Sequence, residues 1–452
     1  MQKILTFLLT VIMAGQVLAQ DMSVPKILTQ REQAEVIDRW LEERIKYVLP
    51  DLMRREGLDM WLIIAREYNE DPVIRTMLPA TWLAARRRTI LVVYDPGAGK
   101  ELETYAIARY NVGSAFKMAW NPAIQPDQFK ALSRLIQEKN PKKIGINKSE
   151  HFAQTDGITS NEYDQLMNVL PKNFQQKVVS AEKLAIGWLE TRTESEMIVY
   201  QQIVRIAHQI IQEAFSDKVI QPGITSTDDV VWWMRERIKE LKLDTWFHPS
   251  VSIQRQDPES FDHLRSFSER PGEQVILPGD LIHTDFGITY LRLNTDTQQH
   301  AYILKPGETE PPKFLQEAFS QGNKVQDALT SNFVVGKSGN EILKAALDQS
   351  KAAGLKPSIY THPIGYYGHA SGPTIGMWDQ QDGVPFNGDY PLYHNTAYSI
   401  ELNASVFIKE WNKEIRIMLE EDGYFDKTGF RYIDGRQKEL MVIPRPMFPN
   451  GK

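Results

Sequence analysis

Five side-chain donors constrain this chain more than anything else in it. They fall in the order Asp, Asp, His, Glu, Glu, on segments that read as strands. Asp285 lies in the run Gly279-Asp280-Leu281-Ile282-His283-Thr284-Asp285-Phe286-Gly287, and Asp296 closes Asn294-Thr295-Asp296 eleven residues later. His362 stands in Thr361-His362-Pro363-Ile364-Gly365-Tyr366-Tyr367-Gly368-His369, Glu401 in Ser399-Ile400-Glu401-Leu402, and Glu420 at the end of Glu414-Ile415-Arg416-Ile417-Met418-Leu419-Glu420. A fold that uses all five must bring strands from distant parts of the chain to one place. Carboxylates gathered on a sheet face repel unless something positive sits between them. Two divalent cations held by oxygen donors and one imidazole meet that need.

Each donor alone has a plainer reading. The aspartate pair could be two turn residues, and a lone histidine is more often a satisfied polar group than a ligand. Glu401 lies between apolar neighbours, and a carboxylate buried there without a partner would cost several kcal/mol, on the order of 2–7. Glu420 could be the exposed end of a strand, and the adjacent Glu421 is an alternative donor. It is the ordered set that points to a metal site.

The 452 residues favour two or three domains. Hydrophobic content of 42% and charged content of 24% are ordinary for a globular protein, and a net charge of −6 argues against nucleic acid as the main partner. Arg86-Arg87-Arg88 reads as a solvated stretch before the strand-like Thr89–Tyr94. Lys3, the apolar run from Ile4 to Ala14 and the small-residue context Val17-Leu18-Ala19 form a secretory signal pattern over residues 1–19, with Gln20 as the expected mature start. The run is short for a membrane span, so an exported protein, periplasmic or secreted, with no stable anchor is expected. Cysteine is absent, which excludes disulfides, thiolate ligands and a cysteine nucleophile.

Hydrophobic periodicity predicts a helix over residues 31–57, then strands at 58–65, 89–94, 104–108 and 143–146 with helical pieces between them. Further helices are predicted over 193–215, 226–241, 314–330 and from about 338 to 353; Thr193 with Glu196 forms a candidate capping box. The expected organisation is an α/β (α+β) chain with an N-terminal domain over 20–190 and a second domain over 191–452.

The donor set resembles that of the pita-bread metallopeptidases: methionine aminopeptidase, aminopeptidase P, prolidase and the metal-free relative creatinase. The shared pattern is Asp, Asp eleven later, His-x-x-Gly with a second His seven beyond, Glu in a Ser/Thr-Ile-Glu strand, and a last Glu. It covers roughly residues 190–445. Arg54-Arg55-Glu56-Gly57-Leu58-Asp59 before a strand looks like the creatinase-type N-terminal domain.

The resemblance implies a pita-bread catalytic domain that hydrolyses peptides, with removal of the residue before proline as the first expectation. A prolidase-like dipeptidase, a creatinase-like C–N hydrolase and a catalytically silent binding protein are the alternatives. It implies two divalent metal ions, manganese first, with cobalt, zinc or iron as alternatives. Asp285, Asp296, His362, Glu401 and Glu420 would hold them, Asp296 and Glu420 bridging. Glu401 would also shuttle a proton, and His369 would stabilise the oxyanion. His263 matches a substrate-facing histidine, at a longer spacing than usual. A homodimer acting on peptide is expected.

Five positions depart from the family pattern. Ser358 stands four before His362, where aminopeptidase P and prolidase usually carry His. Ala370 follows His369 in place of an acid, Gln298-Gln299 replaces Thr-Arg, and Met418 replaces an Arg two before the last Glu. A weakened proline preference is expected from them.

Overall fold

The computed structural model describes residues 24–256 and 274–444. His263 and the signal pattern of residues 1–19 lie outside the described residues. The first helix, Gln30–Tyr47, starts at a capping box between Thr29 and Glu32. A second helix, Leu49–Glu56, follows and ends at Gly57 in the left-handed region, φ 64. The single helix expected over 31–57 is therefore two. Pro50 has no N–H to continue the first helix but fits the first turn of the next.

The strand Met60–Arg66 lies inside a six-stranded mixed sheet, between Arg88–Tyr94 and Ile144–Ile146. Alternate residues of these strands enter two different cores. Trp61, Ile63, Leu91 and Val93 pack on one face, and Met60, Leu62, Ile64, Ile90 and Val92 on the other. Burial on both faces explains why the sequence reads as an unbroken apolar run rather than an alternating one.

The second half opens with the helix Glu194–Ala214, whose capping box is formed by Thr193 and Glu196 as the sequence indicates. The helices Thr227–Glu240, Lys313–Thr330 and Gly339–Ala352 also match their expected ranges within two residues. The helices back three small antiparallel-dominated sheets. One runs in the order Met441–Ile443, Thr297–Ile303, Leu281–Phe286, Ser250–Gln254; the second Pro357–Ile359, Leu402–Ile408, Lys413–Leu419; the third His362–Pro363, Thr396–Ser399, Asp422–Asp426, Gly429–Tyr432. A bridge between Gln298 and Glu420 joins the first two. Gly322 lets the helix Lys313–Thr330 lie against the second sheet, since a Cβ there would meet Leu419 at 2.7 Å and Ile417 at 2.8 Å.

The two halves are tied through buried charge. Arg44 of the first helix pairs with Glu196 at 3.0 Å, and Arg192 pairs with the same carboxylate at 3.4 Å. Between the two key aspartates the chain makes a miniature hairpin, Thr289–Tyr290 with Leu293–Asn294. Its two-residue turn is Leu291-Arg292, at φ 54 and 65. Such turns favour Asn-Gly, and each non-glycine residue held there costs roughly 1 kcal/mol or more. Among the described residues no helix is long and apolar enough to cross a membrane.

Candidate metal centre

All five donors stand where a strand ends or the chain changes sheet. Asp285 is the penultimate residue of Leu281–Phe286, and Asp296 directly precedes Thr297–Ile303. His362 opens the short strand His362–Pro363. Glu401 is not within a strand, as its apolar neighbours suggest. It lies in the two-residue break where the chain leaves Thr396–Ser399 for the other sheet at Leu402–Ile408. Glu420 sits in the corresponding break between Lys413–Leu419 and Asp422–Asp426. Strand ends free side chains from the ladder's strict alternation, so donors from three sheets can face one another.

They do converge. Atoms of Asp285, Asp296 and Glu420 lie within 4.8 Å of one another, as do those of His362, Glu401 and Glu420, and those of Asp296, His362 and His369. His362 Nε2 is 3.7 Å from both Asp296 Oδ2 and Glu420 Oε1. Burial, then the Glu420 charge, pushes the carboxyls of Asp285, Asp296 and Glu401 well above the ordinary carboxylate range. Asp285 Oδ1, Asp296 Oδ1 and His362 Nε2 are buried with no hydrogen-bond partner. Among the described residues no Lys or Arg pairs with any of the four carboxylates. Unspent lone pairs and uncompensated buried charge on oxygen donors with one imidazole fit divalent cations.

Of the two adjacent glutamates, Glu420 and not Glu421 faces the other donors. Glu421 points to the opposite side, where His208 Nε2 (2.6 Å), Gln299 Nε2 (3.0 Å) and the Gln437 amide (2.9 Å) satisfy it. The exposed-strand-end reading of Glu420 also fails, because its side chain is buried.

His369 stands at the rim. Its ring meets that of His362 edge-on at 4.7 Å and that of Trp246 at 5.0 Å. Desolvation and the neighbouring His362 lower its pKa to about 4. Trp246 lies so close to the histidine-bearing loop that a Cβ on Gly368 would come within 2.3 Å of it, which explains the glycine.

Three residues of this site were not singled out as participants by the sequence. Gln298 spans two donors: its Nε2 donates to Glu401 Oε1 at 2.5 Å and Glu420 Oε2 at 2.7 Å. His283 Nε2 meets Gln298 Oε1 at 2.9 Å and so fixes which end of the amide faces the carboxylates. The sequence signal was present, because Gln298 follows Asp296 at strand period two. Tyr360, two before His362, has its hydroxyl raised far above its ordinary value by burial, then by Glu401, Glu420 and Asp285. Of the departures, Ser358 lies opposite Asn403 and Met418 pairs with the same Asn403 from the other side. Neither position therefore supplies a charged group to the site.

The model of metallopeptidase family M24 matches residues 199–424, half of the chain. No curated protein matches. Among solved structures, the X-Pro aminopeptidase from Thermotoga maritima MSB8 is similar over 87% of this chain and 99% of its own, at 17% identity and a TM-score of 0.60. The Xaa-Pro dipeptidase from Bacillus anthracis is similar over 92% of this chain and 100% of its own, at 15% identity and a TM-score of 0.56. The prolidase from Pyrococcus horikoshii OT3 is similar over 91% and 100%, at 14% identity and a TM-score of 0.54. The likeness extends through the N-terminal half as well as the sheets that carry the donors.

Proposed function

We propose that this protein, which belongs to metallopeptidase family M24, is an exopeptidase that removes the N-terminal residue from peptides with proline second. One observation carries the reading: Asp285, Asp296, His362, Glu401 and Glu420 converge, atoms of Asp285, Asp296 and His362 there have no hydrogen-bond partner, and His369 stands at the rim. Those five residues would hold two divalent ions, with Asp296 and Glu420 shared and manganese the first expectation. When bound, such ions polarise a carbonyl and lower the pKa of water.

The chain's own residues supply the rest. Glu401 holds and passes a proton: its Oε1 is fixed by Gln298, which leaves Oε2 for the exchange. His369, at the rim of the cluster and reachable from solvent, donates a hydrogen bond to the oxygen that gains charge as the amide is attacked. Trp246 and the Gly365–Gly368 loop set the walls around that point.

A dipeptidase is the second reading. Similar structures include both an aminopeptidase and dipeptidases. Substrate length decides between them. Metal-loaded protein is offered Xaa-Pro dipeptides, Xaa-Pro-Xaa and Xaa-Ala-Xaa with manganese, cobalt and zinc in turn. The expected result is turnover of the Pro tripeptides with a modest advantage over Ala, on the order of 1–3 kcal/mol in kcat/KM. Turnover confined to dipeptides establishes the second reading. Cleavage of neither series rejects both.

Export and dimer formation complete the proposal. Mass analysis of native protein should find a start near Gln20, and light scattering should find two chains per particle. An intact Met1 or a monomer would remove these parts and leave the catalytic reading standing.

A further inference from the structure

A cleft of about 470 Å³ opens between the two halves of the molecule. On one side are Arg75, Leu78 and Trp82 of the N-terminal half. On the other are Arg292, from the turn of the miniature hairpin, and Tyr366 and Tyr367, from the loop joining His362 to His369. None of the five donors lines it.

Arg292 is the anomaly in this cleft. Its side chain is half-buried, and desolvation holds its pKa below the ordinary arginine value. It makes one hydrogen bond, from Nη1 to the Leu78 carbonyl at 2.9 Å, and among the described residues no carboxylate pairs with it. Asp38 acts on it through charge but forms no ion pair with it, and its Oδ1 accepts from the Ala80 amide at 2.7 Å. Glu70, which also lines the cleft, accepts from the Tyr68 and Ala85 amides and lies 3.6 Å from Arg75. The tyrosine hydroxyls are spent on Glu196 and on the Pro72 carbonyl. A half-buried guanidinium with a single hydrogen bond has donors left over for an anion.

The backbone is equally unusual. Arg292 sits at φ 65, where glycine would be free of strain. Leu291 beside it earns its position by burying its side chain in the core. Arg292 has no such compensation within the chain.

We infer that this cleft binds the free carboxylate of a short peptide, with the Arg292 guanidinium as anchor and Leu78 and Trp82 flanking the last side chain. A single open guanidinium fork matches one planar carboxylate. The apolar wall matches the side chain beside it, and the volume suits two or three residues. The inference concerns a site apart from the five donors and stands whether or not the bond cleaved precedes proline.

The test uses full-length protein stripped of metal with EDTA, so that turnover plays no part. N-acetyl-Leu-Leu and its carboxamide, neither with a free amine, are titrated by calorimetry. The acid should bind about 10- to 100-fold more tightly than the amide, the range for a charge-assisted hydrogen-bonded contact. Arg292→Gly should abolish that difference and fold at least as well, since glycine suits the turn. Arg292→Lys should keep part of it. If Arg292→Gly does not fold, Arg292→Lys decides alone, with a several-fold weaker acid expected. Equal affinity for acid and amide, no binding of either at millimolar concentration, or unchanged discrimination in the variants overturns the inference. So does loss of acid binding in Asp296→Ala, which would move the carboxylate to the donor cluster, and so does inorganic phosphate binding as tightly as the acid.

Discussion

Glu420 and Glu421 are neighbours, both buried, and they live in opposite surroundings. Glu420 faces a pocket of carboxylates where Asp285 Oδ1, Asp296 Oδ1 and His362 Nε2 have no partner. Glu421 faces the back of the same strands, where an imidazole, a side-chain amide and a backbone amide satisfy it. Gln298 and Gln299 repeat the division one strand over: the first bonds Glu401 and Glu420, the second Glu421. Burial is alike on the two faces. What separates them is whether the polar groups are already spent, and unspent groups are those with chemistry still to do.

The sharpest way to break this comparison is Asp296→Ala. Its carboxylate stands between the cluster shared with Asp285 and the one shared with His362. Losing it should remove at least one metal ion per chain and bring peptidase activity to background, read by inductively coupled plasma analysis and a coupled assay. Unchanged metal content and rate would mean that the front face is a structural cluster after all.

His369→Ala should act on rate alone. A loss of about 10²–10³ in kcat, the usual effect of removing one oxyanion donor, is expected with metal occupancy retained. His362→Ala should instead lose metal. His369 also lies within reach of Asp296 and His362, so equal metal loss in both variants would make His369 a ligand.

Gln298 offers a smaller and more discriminating break. Gln298→Met keeps length and removes the amide that holds two glutamates. Metal affinity of the stripped protein should fall about 10- to 100-fold by calorimetry, as when other outer partners of ligands are lost. Gln299→Met, one residue on, should leave affinity within about twofold, because its amide serves the back face. Equal losses would show that the strand, not the amide, is responsible.

How much of this was legible in the sequence follows from the same distinction. The ordered donors could be read because each carries its chemistry in its residue type and its strand in its neighbours. The capping box at Thr193 marked a helix start for the same local reason. Pro50 was equally local, and its break in the first helix could have been read. The choice between Glu420 and Glu421 could not. Both lie in the break after Lys413–Leu419, where regular alternation no longer assigns a face, and their partners, Gln298 and His208, come from far along the chain. The placement of Glu401 failed by the same cause, since a sheet change is invisible to a period-two pattern. The unpaired Arg292 was out of reach entirely, because an absent partner has no sequence signature.

The smallest expected effect on activity belongs to the back face, where the consequence is one of stability. Burial alone would lower the pKa of His208, but the Glu421 charge and the bonds to Asp434 and Glu421 outweigh it and raise the pKa to about 10. His208 is thus a cation at neutral pH, wedged between Glu421 at 2.6 Å and Asp434 at 3.4 Å, with Arg205 on the far side of Asp434. A group whose folded pKa lies above its unfolded value of roughly 6.5 stabilises fully below that value. The contribution shrinks as pH rises and is gone above the folded pKa. His208→Gln keeps a hydrogen-bonding side chain and leaves Glu421 without its charge partner, which costs roughly 3–5 kcal/mol when one member of a buried pair is removed. Denaturant unfolding should therefore find the variant less stable than wild type at pH 6, with the gap closing steadily towards pH 10, and metal stoichiometry unchanged throughout. A gap independent of pH would mean that His208 is neutral in the folded protein. A loss of metal would mean that the back face supports the front one, and the division between Glu420 and Glu421 would no longer hold.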